Sequence, residues 1–480
     1  MSTVLIASVP VYGHVTPLLA AARGLVERGY TVRFLTGRDF EAAVTATGAT
    51  FVALPIEADS VDRAAVATVA AAERQSVEPD PEPTVGPASA NTSSAPLPRR
   101  LLKKLKAATR TRLAAWVRDS SSAWSGIAGM RYGLVGAFVW PARLQYQALL
   151  AELEEPVDAV IADPVFVGGL LLAGLPRDQR PALIGGGVIP LTMGSRYVPP
   201  FGLGLMPWRG AANVARNAAL RFFVQRIALR RLQLRVDEIY RSIHGRSLEV
   251  FAVDWFATTD AVAQFSVDGF EYPRPDSPVP LHLIGPPKGR PPATFTRPAW
   301  WADLDGSRPV VLVTQGTIAN LDFSELVRPT IDGLADTDVL VVATTGGAPI
   351  ESVGELPPNA RVAEFLPYDE LLPLVDVMVT NGGYGGVHYA LAHGVPLVVA
   401  GSSEDKPEVA ARTVWSGAGI SLRTGRPSPQ QVAAGVERAI SDPRFRTAAS
   451  ALAAQIGAAG GIDELASIIE THKRTAQSAL

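Results

Sequence analysis

The stretch Asn381-Gly382-Gly383-Tyr384-Gly385-Gly386 follows the apolar run Val375–Thr380 and precedes a helical pattern over Val387–His393. A strand that reads as an unbroken apolar run is covered on both faces, the mark of an open parallel α/β sheet. The glycines let the backbone approach a bulky anion with several N–H groups pointing at it. The helix start adds unpaired N–H groups and a partial positive charge. Gly394 then ends the helix and Pro396 prevents it restarting. The stretch therefore reads as a diphosphate site, against the blander reading of a tight turn that packs a helix on a sheet. No Gly-x-x-x-x-Gly-Lys-Ser/Thr loop occurs. The Gly-x-Gly-x-x-Gly fingerprint fails because His388 stands where its third glycine would fall.

The same alternation extends through the chain. Val4–Val9 is apolar, Val15–Arg28 has helical spacing, Gly29 closes it, and Thr31–Thr36 is the next strand. Ala159–Ala162 is a further short strand, ending at Asp163-Pro164, and Ala211–Ile243 is helical and rich in arginine. Strands recur at Val310–Thr314, Val339–Thr344, Val375–Thr380 and Leu397–Ala400. Between the two series lies a proline-rich linker, and 480 residues suffice for two or three full cores. The implied architecture is two doubly wound α/β domains facing across a cleft. Residues 1–286 form the first, 287–308 the linker, 309–460 the second, and 461–480 a C-terminal helix or tail. Glu73–Pro98, rich in Pro, Ser, Thr and acid, reads as a surface loop.

Composition excludes several classes. A net charge of −2 argues against bulk nucleic-acid binding. The lack of cysteine rules out thiol catalysis and disulfides, and is compatible with a reducing, cytoplasmic setting. The first charged residue is Arg23, but Pro10, Gly13 and Pro17 break the early apolar segment, so a buried strand and loop is expected rather than a signal peptide. No uninterrupted apolar run is long enough to span a membrane.

His14, in Gly13-His-Val-Thr-Pro17 after the first strand, is the candidate general base. Ligands in open α/β sheets bind beyond the carboxyl ends of strands, and a neutral imidazole can take a proton from a hydroxyl. Such a base needs an orienting acceptor on its other nitrogen. Asp163, ending a different strand, can supply it, and fits equally a turn before Pro164.

Gly13-His14, Ile284-Gly-Pro286, Gln315-Gly-Thr317 and the segment Phe365–Glu408 together resemble family 1 (UDP-glycosyltransferase type) enzymes with the GT-B fold, especially bacterial members acting on macrolides and related natural products. The resemblance runs over nearly the whole chain. It implies two Rossmann-like domains and an inverting sugar transfer, with a nucleotide-diphosphate sugar as co-substrate, no metal and no other cofactor. It implies that His14 deprotonates the acceptor, oriented by Asp163. Phe365 would stack on the nucleotide base and Leu366 offer it backbone hydrogen bonds. Thr317, Asn381, Gly382, Gly383, Tyr384, Gly385 and Gly386 would hold the diphosphate, with Gly13 nearby on the donor side. Asp405 and Lys406 would read the sugar hydroxyls.

The match departs at several positions. Asn381 replaces a phosphate-binding histidine, Gly385-Gly386 replace a hydroxyl-bearing pair, and Lys406 replaces glutamine. Tyr389 falls where ribose users place a glutamate. UDP-glucose is the expected donor, with room for a dTDP-sugar. The expected acceptor is a small, apolar, hydroxylated natural product or xenobiotic, held by Phe201, Met206 and Trp208, although core packing explains these three as well. Other readings are a transferase for a lipid-linked acceptor, docking through Arg99–Lys106 and Arg209–Arg235, and a non-catalytic partner protein of the same fold.

Asp303-Leu-Asp305 has the spacing of metal-dependent transferases but lies in the linker beside Gly306-Ser307, so a plain turn is expected. Asn91-Thr-Ser93 is a glycosylation sequon only if the chain is secreted. His388 and His393 are expected to pack or cap, and His244, His282 and His472 show no partner pattern.

Overall fold

A computed structural model describes residues 2–59, 139–287, 295–316 and 322–473. The loop 73–98, the basic run 99–106, the sequon and Thr317 lie outside these.

The predicted pair of parallel sheets is present. The first has seven strands in the order β3-β2-β1-β4-β5-β6-β7. They are β1 (Thr3–Ala7), β2 (Thr31–Thr36), β3 (Thr50–Ala53), β4 (Ala159–Ala162), β5 (Ala182–Gly187), β6 (Ala261–Gln264) and β7 (Leu281–Leu283). The second has the order β10-β9-β8-β11-β12-β13. Its strands are β8 (Val310–Thr314), β9 (Leu340–Thr344), β10 (Ala360–Ala363), β11 (Val377–Thr380), β12 (Leu397–Val399) and β13 (Gly419–Ser421). Every pairing is parallel, so each connection crosses over through a helix or loop.

The unbroken apolar runs are explained by burial on both faces. In β1, Leu5 and Ala7 join one core while Val4 and Ile6 join the other. In β8, Leu312 faces one core and Val311 and Val313 the opposite one. Both domains are thus three-layered, with the carboxyl ends of β1, β4, β5, β8, β11 and β12 opening toward the cleft.

Several boundaries differ from the sequence reading: Ala211–Ile243 divides into Ala212–Phe223 and Arg230–His244 around a π turn, the strands at Val339, Val375 and Ala400 are trimmed by one or two residues, and three further shifts lie at the site. β1 stops at Ala7 rather than Val9, because the Ser8 hydroxyl and the Val9 N–H turn to the Asp163 carboxylate. The first helix starts at Tyr12, not Val15, and carries Pro17 inside it. The helix after the glycine turn starts at Tyr384, so Gly385 and Gly386 belong to its first turn. Its donors are therefore those of a helix N-terminus rather than of a loop.

The last helix, Gly461–His472, does not stay with the second domain. Leu465, Ile468 and Ile469 pack into the core of the first sheet, the Gly461 N–H bonds the Ile284 carbonyl, and Arg28 pairs with Asp463 at 2.7 Å. The chain therefore straps one domain to the other. Part of the linker is also docked: Ala299–Asp303 forms a 3₁₀ turn whose Trp300 and Trp301 pack on the second core. Among the described residues no single helix is long and apolar enough to cross a membrane.

Candidate functional site

His14 lies in the first turn of the helix Tyr12–Glu27, just beyond the carboxyl end of β1. Its Nδ1 is 3.2 Å from Oδ2 of Asp163, with His14 only 15% exposed and Asp163 fully buried. Asp163 is anchored by the Ser8 hydroxyl and the Val9 N–H at 3.0 Å each, and by the Val165 N–H at 2.6 Å. At this distance the Asp163 carboxylate acts on the imidazole through its charge and as an acceptor at Nδ1. Burial alone would lower the imidazole pKa. The Asp163 carboxylate outweighs it, helped by Asp405 and Glu404, and holds the pKa above 6.5. A carboxylate at Nδ1 favours the tautomer with Nε2 unprotonated, the form of a general base.

Asp405 and Glu404 belong to the other domain, and their charges add to that of Asp163 in raising the His14 pKa. Asp405 immediately precedes the helix Lys406–Trp415, and its side chain makes no capping bond. Burial raises its pKa, with the Lys406 ammonium opposing. Lys406 is itself engaged, donating to Glu404 and to Ser403 Oγ at 3.3 Å. Glu404 adopts φ +56°, an uncommon conformation for a non-glycine residue and a mark of constraint at the turn. Sequence reasoning passed over Glu404; the polar run Ser402-Ser403-Glu404 after the apolar β12 was its only signal.

The glycine turn is open where a ligand would enter. A Cβ added at Gly383 or Gly385 would meet nothing within 4 Å, and at Gly386 only Met378 Cε at 4.0 Å. Packing therefore does not demand these glycines; their effect is to leave the helix N-terminus bare. Gly382 differs, with φ +90° and a Cβ position 2.8 Å from Val399. No side chain caps the helix Tyr384–Ala392, leaving its first-turn N–H groups for an anion.

Two residues assigned to this turn are held elsewhere. The Tyr384 side chain does not face the open turn: its hydroxyl donates to Glu271 at 2.9 Å and accepts from Gln264 at 2.9 Å, deep between the domains. Only its backbone N–H remains for a phosphate. The Asn381 amide donates to the Gln315 carbonyl at 2.6 Å and so ties the turn to the loop after β8.

Phe365 is 63% exposed and its ring lies beside Gly347, where a Cβ would come within 2.9 Å of it. Leu366, next to it, is buried in the core. Tyr389 is half-buried, its ring edge-on to Tyr368 at 5.9 Å between centroids. Of the acceptor-side residues, Phe201 packs on the first core and Met206 is exposed, while Trp208 lies under the Arg216 guanidinium at 4.1 Å. Phe201 also lines a cavity of about 20 Å³, room for about one water. There burial pushes the Asp254 carboxyl up to about 7 against the opposing charges of Arg221 and Arg274.

Other charged residues are structural. Asp303 pairs with Arg361 at 2.6 Å, and Asp305 accepts the Ser307 N–H at 2.8 Å. His388 is buried between the Tyr384 carbonyl and the Ser266 hydroxyl, and burial lowers its pKa to about 4. His282, for which the sequence offered no partner, lies 3.3 Å from Glu464. Among the described residues no group of three or more His, Asp or Glu side chains converges as a metal site.

Residues 328–471 match the family described as "Erythromycin biosynthesis protein CIII-like, C-terminal domain". The chain is 36% identical to 4'-demethylrebeccamycin synthase of Lentzea aerocolonigenes, over 97% of this chain and 98% of that one. It is 30% identical to UDP-glycosyltransferase 2 of Phaeomoniella chlamydospora, over 97% and 95% of the two chains. The solved glycotransferase of kitacinnamycin superposes with a TM-score of 0.64 over 98% of this chain and 99% of that one; at 22% identity it speaks for the fold. Full-length identity at this level, on two Rossmann-like sheets facing across a cleft, places the chain in family 1, the UDP-glycosyltransferase-type glycosyltransferases of the GT-B fold.

Proposed function

We propose that this glycosyltransferase moves a sugar, with inversion, from a UDP- or dTDP-linked donor to a hydroxyl of a small apolar natural product. The observation that carries the reading is the buried His14–Asp163 pair at the carboxyl end of the first sheet, close enough to the sugar motif of the second for Asp405 to act on the imidazole. In this reading the acceptor O–H proton passes to His14 Nε2 while the oxygen attacks the anomeric carbon. The bond from that carbon to the diphosphate breaks, and its electron pair leaves with the diphosphate. The first-turn N–H groups of Tyr384, Gly385 and Gly386 and the helix dipole stabilise that charge. Asp163 stabilises the imidazolium that forms.

Phe365 supports the donor assignment as an exposed aromatic face beside Gly347, following β10 of the second sheet, suited to stacking on a nucleotide base. Asp405, with an uncapped carboxylate in the cleft, suits sugar hydroxyls. The relatives named above are a 4'-demethylrebeccamycin synthase and a UDP-glycosyltransferase, which supports a nucleotide sugar and a natural-product acceptor.

Calorimetry with UDP, dTDP and their glucose conjugates tests the reading. A buried carboxylate serving the ribose 2′-hydroxyl would penalise deoxyribose by about 1–3 kcal/mol. Tyr389 cannot accept from both ribose hydroxyls, so UDP and dTDP should bind within about tenfold of each other, or about 1.4 kcal/mol. Asp405→Ala should weaken the nucleotide sugar by about tenfold or more, as expected for a hydrogen bond to a charged group, and barely touch the bare nucleotide. Equal losses for both ligands would make Asp405 structural. Failure of every nucleotide to bind would defeat the reading.

A further inference from the structure

The carboxylate of Glu408 bridges the two domains. It stands in the first turn of the helix Lys406–Trp415, directly after the sugar motif. Its Oε1 accepts the backbone N–H of Gly202 at 2.9 Å and of Gly204 at 2.8 Å, in the long connection that leaves β5. Its Oε2 accepts from Arg412 Nη1 at 2.8 Å, and the side chain is only 5% exposed. Arg412 also binds Glu271 at 2.9 Å, and Glu271 accepts the Tyr384 hydroxyl at the start of the phosphate-turn helix.

Gly204 is pressed against the residue that precedes Glu408. It has φ +59°, and a Cβ there would lie 2.8 Å from Pro407 Cβ. Both the left-handed backbone and the close approach require glycine. The loop is thus seated by contact and held by charge-assisted hydrogen bonds, which are about twice as strong as neutral ones. Beyond it come Leu205, Met206 and Trp208, exposed on the acceptor domain.

We propose that Glu408 is a positioning residue, coupling the donor-sugar end of its helix to the loop 201–206. A nucleotide sugar at Asp405 and Lys406 orders the first turn that carries Glu408 and so tightens the acceptor-side wall. The coupling rests on the transferase reading above. It is reciprocal: a docked loop strengthens the sugar subsite as much as the sugar strengthens docking.

Hydrogen exchange of the backbone amides in 201–206 tests this, with UDP, dTDP and their glucose conjugates as probes. In the wild type a nucleotide sugar should slow exchange at Gly202 and Gly204 by about fivefold or more, and the bare nucleotide should not. Glu408→Ala and Gly204→Ala should each speed unliganded exchange by about tenfold or more, and both should lose the sugar-dependent slowing. Gly204→Ala leaves the Glu408–Arg412 pair in place, so a general loss of stability cannot account for both results. The proposal is overturned by unchanged exchange in both variants, by equal slowing from bare nucleotide and nucleotide sugar, or by no slowing in a wild type that binds the sugar. A wild type that binds no nucleotide defeats the transferase reading instead. The unliganded rates then still decide whether Glu408 holds the loop.

Discussion

Replacing His14 with alanine is expected to lower sugar transfer by about 10²–10⁴-fold, the usual contribution of a general base. Donor binding should stay nearly intact, since the proposed nucleotide site lies on the opposite domain. The base hypothesis fails if the loss is below about fivefold, too small for a group that moves the reacting proton. The pH dependence gives a second readout with a defined sign. The imidazole must be neutral to accept a proton, and its pKa is raised above 6.5 by the Asp163 carboxylate against the effect of burial. The rate should therefore rise with pH through a midpoint above 6.5. Asp163→Asn removes the charge and should move that limb toward lower pH. Its loss in rate should be smaller than that of His14→Ala and not additive with it, because both act on one proton transfer.

Replacing Arg412 with methionine is expected to cost about 3–5 kcal/mol of stability, the usual penalty for leaving buried charges without their partner. The guanidinium is 1% exposed between Glu271 and Glu408, and it lies over the Tyr272 ring at 4.3 Å. Methionine fills part of the volume but pairs with neither carboxylate. Arg274, 3.7 Å from Glu271, answers only one of them. Melting temperature should fall by roughly 2–4 °C per kcal/mol, the scale for domains of this size. In the wild type Glu271 is strongly desolvated, yet the Arg412 and Arg274 charges hold its pKa below the usual value. It therefore contributes stability above its unfolded pKa, and that contribution is lost on acidification. In the variant the Glu271 carboxylate stays buried without the Arg412 charge that helped hold its pKa down, so it takes up a proton more readily than in the wild type. The deficit relative to wild type should accordingly shrink as pH falls from 7 toward 5. A deficit below about 1 kcal/mol, or one that grows on acidification, would show that the network is not the stabilising element described.

This network also explains why so much of the site was out of reach of sequence reasoning. The strands were legible because a parallel strand buried on both faces leaves an unbroken apolar run, as at Ala159–Ala162 and Val310–Val313, and the ends read at Thr31–Thr36, Ala159–Ala162 and Val310–Thr314 agree with the structure. The glycine turn was legible because its signal is local. Its helix start was misplaced by three residues, since Tyr384 reads as a turn residue until its hydroxyl is seen bonded to Glu271. Glu408 and Arg412 show the i,i+4 spacing of a helical ion pair, but nothing in that spacing announces Glu271 or the two glycine N–H groups across the cleft.

The amino-acid sequence by itself determined two parallel α/β domains, a bare helix N-terminus after β11, and a histidine and an aspartate at strand ends, because each of these is written within a dozen neighbouring residues. Only the tertiary structure decided what those groups meet. It set Asp163 against His14, sent the Tyr384 side chain into the domain interface, drew the Asn381 amide to Gln315, and returned the last helix to the first sheet. It also joined Glu271 to Arg412 across 141 residues and Gly204 to Glu408 across 204. Contacts at such separations follow no periodicity; they form when two domains bury the loops and helix ends that face each other, and burial then obliges the charges caught between them to find partners.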